Sequence, residues 1–220
     1  FSINLAVKNT KKKYIMYLAS DTNIRNDQII KLLKTANETK KFGAITATLH
    51  DQDYKDLKIN LKEKNDLAQV WFNNGSVMLM KKNLMKKVNY FDDKYFLYFE
   101  ESDYYKRCTN INLPIFIHNK VIIKHEGGGA IEKEFRDEYQ KIRNWHYCWS
   151  KFYYYKKHYG YLTGLSKTTP NLIRAIKSIV HGVFTFNFEK VLIHYVEIEG
   201  LFCSYFNIKS FYRIKNNKLL

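Results

Sequence analysis

The sequence predicts an α/β front part, residues 1–130, followed by an all-helical extension, residues 131–220. Three observations predict it. Short apolar runs alternate with amphipathic stretches of helical period through the front part. Beyond Ile131 the pattern reads as helix throughout, and nowhere does the chain repeat itself. With 45% hydrophobic and 16% aromatic residues, nine Gly and two Pro, the 220-residue chain can bury a sizeable core and is neither disordered nor fibrous.

Residues 12–20, "KKYIMYLAS", read as a buried strand that ends in a small residue and sets Asp21 at its carboxyl end. "NDQIIKLLKTANET" follows as a helix, capped by Asn26 or Asp27, with Ile29, Ile30, Leu32 and Leu33 as its apolar face. "FGAITATLH", residues 42–50, is a second strand after a glycine break, and the charged residues 51–66 are a surface excursion. "AQVWFNNGSVMLMKK", residues 68–82, gives a strand, an Asn-Asn-Gly turn and a strand. "NLMKKVNYF" is a helical turn leading into "FDDKYFLYFEESDYYKR", residues 91–107, a loop that becomes helix at Glu100. "LPIFIHNKVIIKHEGGG" gives two short strands and a glycine loop. Residues 131–158 form one long helix, and residues 171–206 form two more, interrupted near Asn187.

Lys and Arg number 37 against 21 Asp and Glu, a balance of +16. Nucleic acid, an anionic membrane surface and phosphorylated substrates are all partners such a charge suits. The general abundance of Lys, Asn, Ile and Tyr fits equally a compositional bias with no partner behind it. No RNA-binding signature, zinc finger or helix-turn-helix pattern supports nucleic acid. No apolar run reaches the roughly 18 residues that span a bilayer, and no signal-peptide pattern is present. Cys108, Cys148 and Cys203 are odd in number and widely spaced, which suits buried thiols in a reducing compartment. The chain does not begin with Met and its first residues read as the interior of a domain, so a fragment is expected.

The residues that carry chemistry fall at strand ends and in the acidic aromatic stretch. Open α/β sheets bind ligands at the carboxyl ends of their strands. Asp21 stands at one such end, and His125 follows "VIIK" and precedes three glycines that let backbone approach a ligand. Together they can share a divalent metal with phosphate oxygens; Asp21 reads equally as a turn or cap residue, and His125 as a surface residue. Glu100, Glu101 and Asp103 are favoured at a helix start by the helix dipole alone. Their aromatic surround is the departure, because burial against rings can raise a carboxyl toward the range of a general base. Asp103 and Arg107 are four apart on that helix, so a local ion pair is expected there.

The order "YLASDT", "VWFNNGSVMLMKK", "FDDKYFLYFEESDYYKR", "VIIKHEGGG" and "RNWHYCWSKFYYYKKHYG" resembles the bacterial family 2 glycosyltransferases of the rhamnosyltransferase-like group, over residues 1–160. The resemblance implies a GT-A-like fold, here partial, with a Rossmann-like mixed sheet. It also implies inversion at the sugar's anomeric carbon, a nucleotide-sugar donor, and Mg2+ or Mn2+. Residue by residue, it places Asp21 at the last acid of the family's metal motif, with Ala19 where the first acid stands, and His125 at the metal-binding histidine. Glu101 falls at the catalytic base, where the family has Asp. Glu100 and Asp103 match flanking acids, Trp71, Asn74, Gly75 and Ser76 match the segment lining the sugar and acceptor pocket, and Arg143 and Asn144 match a pair in the following helix. "FSINLAV" matches a segment well inside the family's domain, so the resemblance implies that about 80 residues, an ordinary half-domain, precede it. The strand at residues 12–20 is then expected to expose an edge.

On this reading residues 1–130 are the carboxy-terminal part of a glycosyltransferase domain and residues 131–220 a helical, membrane-associated extension. The expected activity is inverting transfer of a sugar, rhamnose being one candidate, to a saccharide or lipid-linked acceptor in surface polysaccharide synthesis. It would take place in the cytoplasm, peripherally at the inner face of the cytoplasmic membrane. The aromatic residues around Glu101 are expected to shape the sugar pocket. The alternative is a non-catalytic remnant that binds saccharide or membrane. Residues 169–184 place Leu172, Ile173, Ile176, Ile179, Val180 and Val183 near one face. That face reads either as interfacial or as packing on the core.

Overall fold

A computed structural model describes residues 2–50, 66–125 and 135–213. The excursion at residues 51–65, the glycine loop and the start of the long helix, residues 126–134, lie outside the described residues. Contacts divide the chain into two units. One is Phe1–Asp92 with Glu101–Ala130, and the other is Asp93–Glu100 with Ile131–Leu220.

The first unit is built on six strands: β1 (Tyr14–Leu18), β2 (Thr22–Asn23), β3 (Ala44–Leu49), β4 (Leu67–Val70), β5 (Val77–Lys81) and β6 (Ile115–His125). The order is β1-β5-β3-β6-β2, and β4 also pairs with β6. β3 and β6 are parallel; β5 is antiparallel to both β1 and β3. It follows that β1, β3 and β6 run the same way, with their carboxyl ends on one side of the sheet. β6 is long enough to serve two partners, β4 with Ile115–His118 and β2 with Lys124–His125.

The two short strands expected across residues 113–124 are therefore one strand with an irregularity. Ala47 pairs with His118 and Thr48 with Ile122, so one step on β3 meets four on β6 and three residues are extra. Side chains alternate faces with period two, so an odd insertion swaps the face of every following residue. Ile115 and Ile117 accordingly lie in one core cluster, and Val121 and Ile123 in the other. β5 shows the undisturbed alternation, with Met78 and Met80 on one face and Val77 and Leu79 on the other.

Helix α2 (Asn26–Glu38) covers one face. Its buried line is Gln28, Leu32 and Ala36, four residues apart, while Ile30 is 65% exposed. The expected apolar face is thus rotated, because Gln28 is held inward by two bonds. It accepts from the Arg25 N–H at 2.9 Å and donates to the Ile122 carbonyl at 2.6 Å. Arg25, one residue earlier than expected, is the cap. The other face is covered by α1 (Ser2–Asn9), α3 (Lys82–Lys87) and α4 (Glu100–Asn110). Helix α1 had no signal in the periodicity. It is fastened by Asn4, whose Nδ2 donates to the Phe91 carbonyl at 2.8 Å while its Oδ1 accepts from the Phe91 N–H at 3.1 Å. β1, expected to be buried, is half-buried and among the described residues pairs only with β5.

The second unit holds α5 (Arg136–Tyr159), α6 (Tyr161–Phe184) and α7 (Phe188–Tyr205). α6 begins ten residues before the expected start and runs through Pro170. A proline forfeits one helical bond. The turn before it is secured by Gly164 against the Phe152 ring and by the Thr168 hydroxyl, which donates to the Gly164 carbonyl at 2.8 Å. The break at Asn187 is where the sequence put it, and Asn187 caps α7 by accepting from the Lys190 N–H at 3.0 Å.

Candidate active site

The carboxyl end of β1 leads into a turn in which the Thr22 N–H donates to the Ala19 carbonyl at 3.1 Å, so Asp21 occupies a central turn position. The Ala19 N–H in turn donates to the Ser76 carbonyl at 2.9 Å, immediately before β5. Across the other partner, Thr22 pairs in register with His125 at the end of β6. Asp21, in the turn, is therefore next in sequence to Thr22, the β2 partner of His125 at the end of β6.

The segment before β5 is not a hairpin turn, because β4 and β5 pair with different strands. Residues 71–76 carry the chain from the β6 side of β3 to its β5 side. Asn73 pins this crossing: it is fully buried and its Nδ2 donates to Thr46 Oγ1 at 2.7 Å and to the Ala47 carbonyl at 3.1 Å. Asn74 then folds the chain by accepting from the Ser76 N–H at 2.8 Å and from the Ser76 hydroxyl. Trp71 opens the segment, 70% exposed, against Phe72 with ring centroids 5.8 Å apart.

Glu101 reaches this segment from α4. A methyl group on Gly75 would lie 3.2 Å from Glu101 Cβ and Cγ, so the glycine leaves the space that the glutamate side chain passes through. The chain arrives at α4 through Tyr98 and Phe99, both left-handed, with φ of 66° and 68°. Two such residues in succession are costly for non-glycine backbone, and they fix where the helix begins. One turn on, Tyr105 is completely buried, and burial raises its pKa well above the usual value, reinforced by the negative charge of Glu101.

The remaining acids have different surroundings. Glu100 is raised above its ordinary value of 4.5 by burial, and its Oε2 has no hydrogen-bond partner among the described residues. Asp103 is inaccessible and accepts from Arg107 Nε at 2.8 Å, the pair expected from the spacing. Arg107 also donates to the Val88 carbonyl. Asp103 is thus a buried ion-pair partner.

The aromatic residues of residues 91–107 are fixed by packing. Phe91 stacks on Tyr104 at 4.9 Å, and Tyr104 donates to the Gly43 carbonyl at 3.0 Å. In the helical unit Tyr95 meets Tyr153 and Phe96 meets His146. These ring partners are core and helix side chains, as expected where aromatic area is stabilised by burial against other apolar area. Arg143 and Asn144 belong to that same unit. Arg143 Nε donates to the Tyr98 hydroxyl at 2.6 Å, and Asn144 Oδ1 accepts from Gln140 at 2.7 Å.

The fold resembles a glycosyltransferase. The chain is similar over 93% of its length to the mannosyltransferase PcManGT from Pyrobaculum calidifontis, solved in complex with GDP-Man and Mn2+, with a TM-score of 0.52 and 10% identity. It spans 66% of that chain, a little under two thirds. No family model and no curated protein matches the sequence. At this identity the likeness is one of fold.

Among the described residues no group of three His, Cys, Asp or Glu is placed to hold a metal. A carboxylate such as that of Asp21 suits Mg2+ or Mn2+ when substrate phosphates supply further oxygens. Sequence reasoning passed over Asn73, although its neighbour Asn74 was marked. An Asn-Asn pair signals a turn, and nothing in it tells which of the two is buried against the adjacent strand.

Proposed function

We propose that this chain is the metal-, acceptor- and base-bearing part of an inverting glycosyltransferase that uses a nucleotide-sugar donor. It would be of family 2 type, with residues 1–130 as its catalytic part and residues 131–220 as a helical extension. The observation that carries the reading is Glu101 lodged against Gly75, two links along the backbone from the Asp21 turn, at the carboxyl end of a sheet that resembles a glycosyltransferase's. Glu101 takes the proton from an acceptor hydroxyl as that oxygen bonds to the anomeric carbon. The bond from that carbon to the diphosphate oxygen breaks on the opposite face, and the nucleoside diphosphate leaves with the electron pair. Asp21 and His125 would hold Mg2+ or Mn2+, which neutralises charge developing on the diphosphate. Trp71, Asn74 and Ser76 supply an exposed ring and polar groups for the sugars, and Asp103 with Arg107 keeps α4, and so Glu101, in place. The acceptor is a saccharide or lipid-linked sugar of a surface polysaccharide, met at the inner face of the cytoplasmic membrane.

A non-catalytic saccharide-binding protein is the second reading, favoured by the single acid left at the metal motif where Ala19 replaces the first. Turnover separates them. In the full-length protein, with nucleotide-sugar donor, Mn2+ and acceptor glycan, Glu101→Gln is expected to lower transfer about 100-fold or more, as removal of a general base does, with donor binding little changed. Transfer undiminished in Glu101→Gln would overturn the base, and no turnover by the unsubstituted protein with any donor would favour the second reading.

A further inference from the structure

Helix α6 is packed the opposite way from a water-facing helix. Its buried residues are Gly164, Thr168, Ala175 and Gly182, all small. Its large apolar residues Ile173, Ile176, Val180, Val183 and Phe184 are exposed. A surface helix of a water-soluble domain turns its apolar stripe to the core and its polar face outward. Small residues inward and large apolar ones outward is the pattern of a helix whose outer face meets lipid. Of the apolar face expected from the sequence, Ile173, Ile176, Val180 and Val183 are exposed, while Leu172 and Ile179 are partly buried. At the end of the helix the chain turns through Phe186, with φ of 51°, and presents Phe184, Phe186 and Phe188, 80%, 80% and 66% exposed.

Beside the apolar stripe runs a cationic one. Arg174, Lys177, Ser178 and His181 from α6 and Lys190 from α7 line a groove of about 630 Å3. Lys190 Nζ lies 3.2 Å from His181 Nδ1, and Arg174 is paired with Glu197 at 2.9 Å. α6 itself contains no acid, and Glu189, in the first turn of α7, is the acid nearest the tip in sequence.

We propose that the exposed face of α6 and the phenylalanine tip bind the surface of an anionic bilayer. The three rings and the valine–isoleucine stripe enter the interface, and the basic groove takes the phosphate-bearing headgroups. No helix among the described residues is long and apolar enough to cross a membrane, so the helix lies in the interface plane, where apolar area and basic side chains act together. Charge selects this occupant over a second copy of the chain: α6 carries basic side chains and no acid, so pairing this face with itself would bring like charges together, whereas an anionic surface attracts them.

The test uses the full chain and does not depend on transferase activity. Flotation with phosphatidylcholine vesicles containing phosphatidylglycerol is expected to carry the protein at low salt, and pure phosphatidylcholine to carry little. The triple change Phe184→Ser, Phe186→Ser, Phe188→Ser should abolish flotation while circular dichroism stays unchanged. Lys177→Gln should weaken it about fivefold, in line with about 1 kcal/mol per basic side chain at an anionic surface. Phe186→Trp should be quenched by brominated lipid. Absence of flotation at low salt, or flotation indifferent to the serine changes, would overturn the proposal. So would a lipid-free dimer that the serine changes dissolve, which would assign the face to a second copy.

Discussion

Glu100 and Glu101 are consecutive on the first turn of α4 and are held differently. Glu101 passes Gly75 toward the strand ends, whereas Glu100 is desolvated enough to raise its pKa. A raised carboxyl pKa means that the folded state resists ionisation. Below about pH 4.5 both states are protonated and no penalty exists; as pH rises through the folded pKa, the unfolded chain ionises more readily and stability falls. Glu100→Gln cannot ionise, so its stability relative to the unsubstituted protein should grow from about pH 4.5 upward, read by urea denaturation across that range. A difference that does not change with pH would show that Glu100 does not titrate under burial. The same substitution should impair transfer much less than Glu101→Gln, and equal losses would mean that the base within the pair is misassigned.

The helices of the second unit meet through glycine, and this sets what they tolerate. On α7, a Cβ at Gly200 would come 2.4 Å from the carbonyl oxygen of Trp145 on α5, which is backbone and cannot rotate away. Around this contact Trp145 Nε1 donates to Glu199 at 3.1 Å and the Ser204 hydroxyl to the Trp149 carbonyl at 2.9 Å, so separating the helices would stretch several bonds together. Gly200→Ala is therefore expected to destabilise by about 1–3 kcal/mol, the usual range for overpacking, as a lowered urea midpoint with unchanged slope. On α4, Tyr104 and Cys108 pack toward Gly43, where a Cβ would meet Cys108 at 2.7 Å. The glycine break before β3 thus serves close packing.

For the whole molecule, part of the acid sensitivity should come from His146 in the helical unit. His146 is fully buried there, and its Nε2 donates to the Tyr212 carbonyl at 2.8 Å. Burial pushes its pKa down to about 4, against the partial opposing effect of that carbonyl, and the Arg213 charge lowers it further. A depressed histidine pKa means that the unfolded state takes up the proton first. The stabilising contribution is complete above pH 6.5 and is lost as pH falls toward 4. His146→Gln keeps a donor but does not titrate, so it should remove this part of the acid loss in denaturation curves near pH 7 and pH 4.5. Equal acid sensitivity in both proteins would exclude His146 as its source.

Element type was largely determined by local pattern. The strands at Tyr14–Leu18, Ala44–Leu49 and Val77–Lys81, the helix start at Glu100 and the break at Asn187 are each legible because period, glycine and capping residues act within a few neighbours. The Asp103–Arg107 pair was legible for the same reason, since four residues on a helix is one turn. Pairing was not. That β4 joins β6 and β5 joins β1 and β3 depends on contacts far apart in sequence, as does the three-residue irregularity in β6 that swaps its faces. Nor could the sequence say which side of an amphipathic helix is buried. Gln28 replaced Ile30 on α2 because a distant carbonyl satisfies its amide, and small residues took the inner side of α6 because close helix approach excludes large ones. Asp21, Ser76 and Glu101 were nominated by residue type, but their arrangement around Ala19 and Gly75 exists only after strands running in opposite directions bring their ends together.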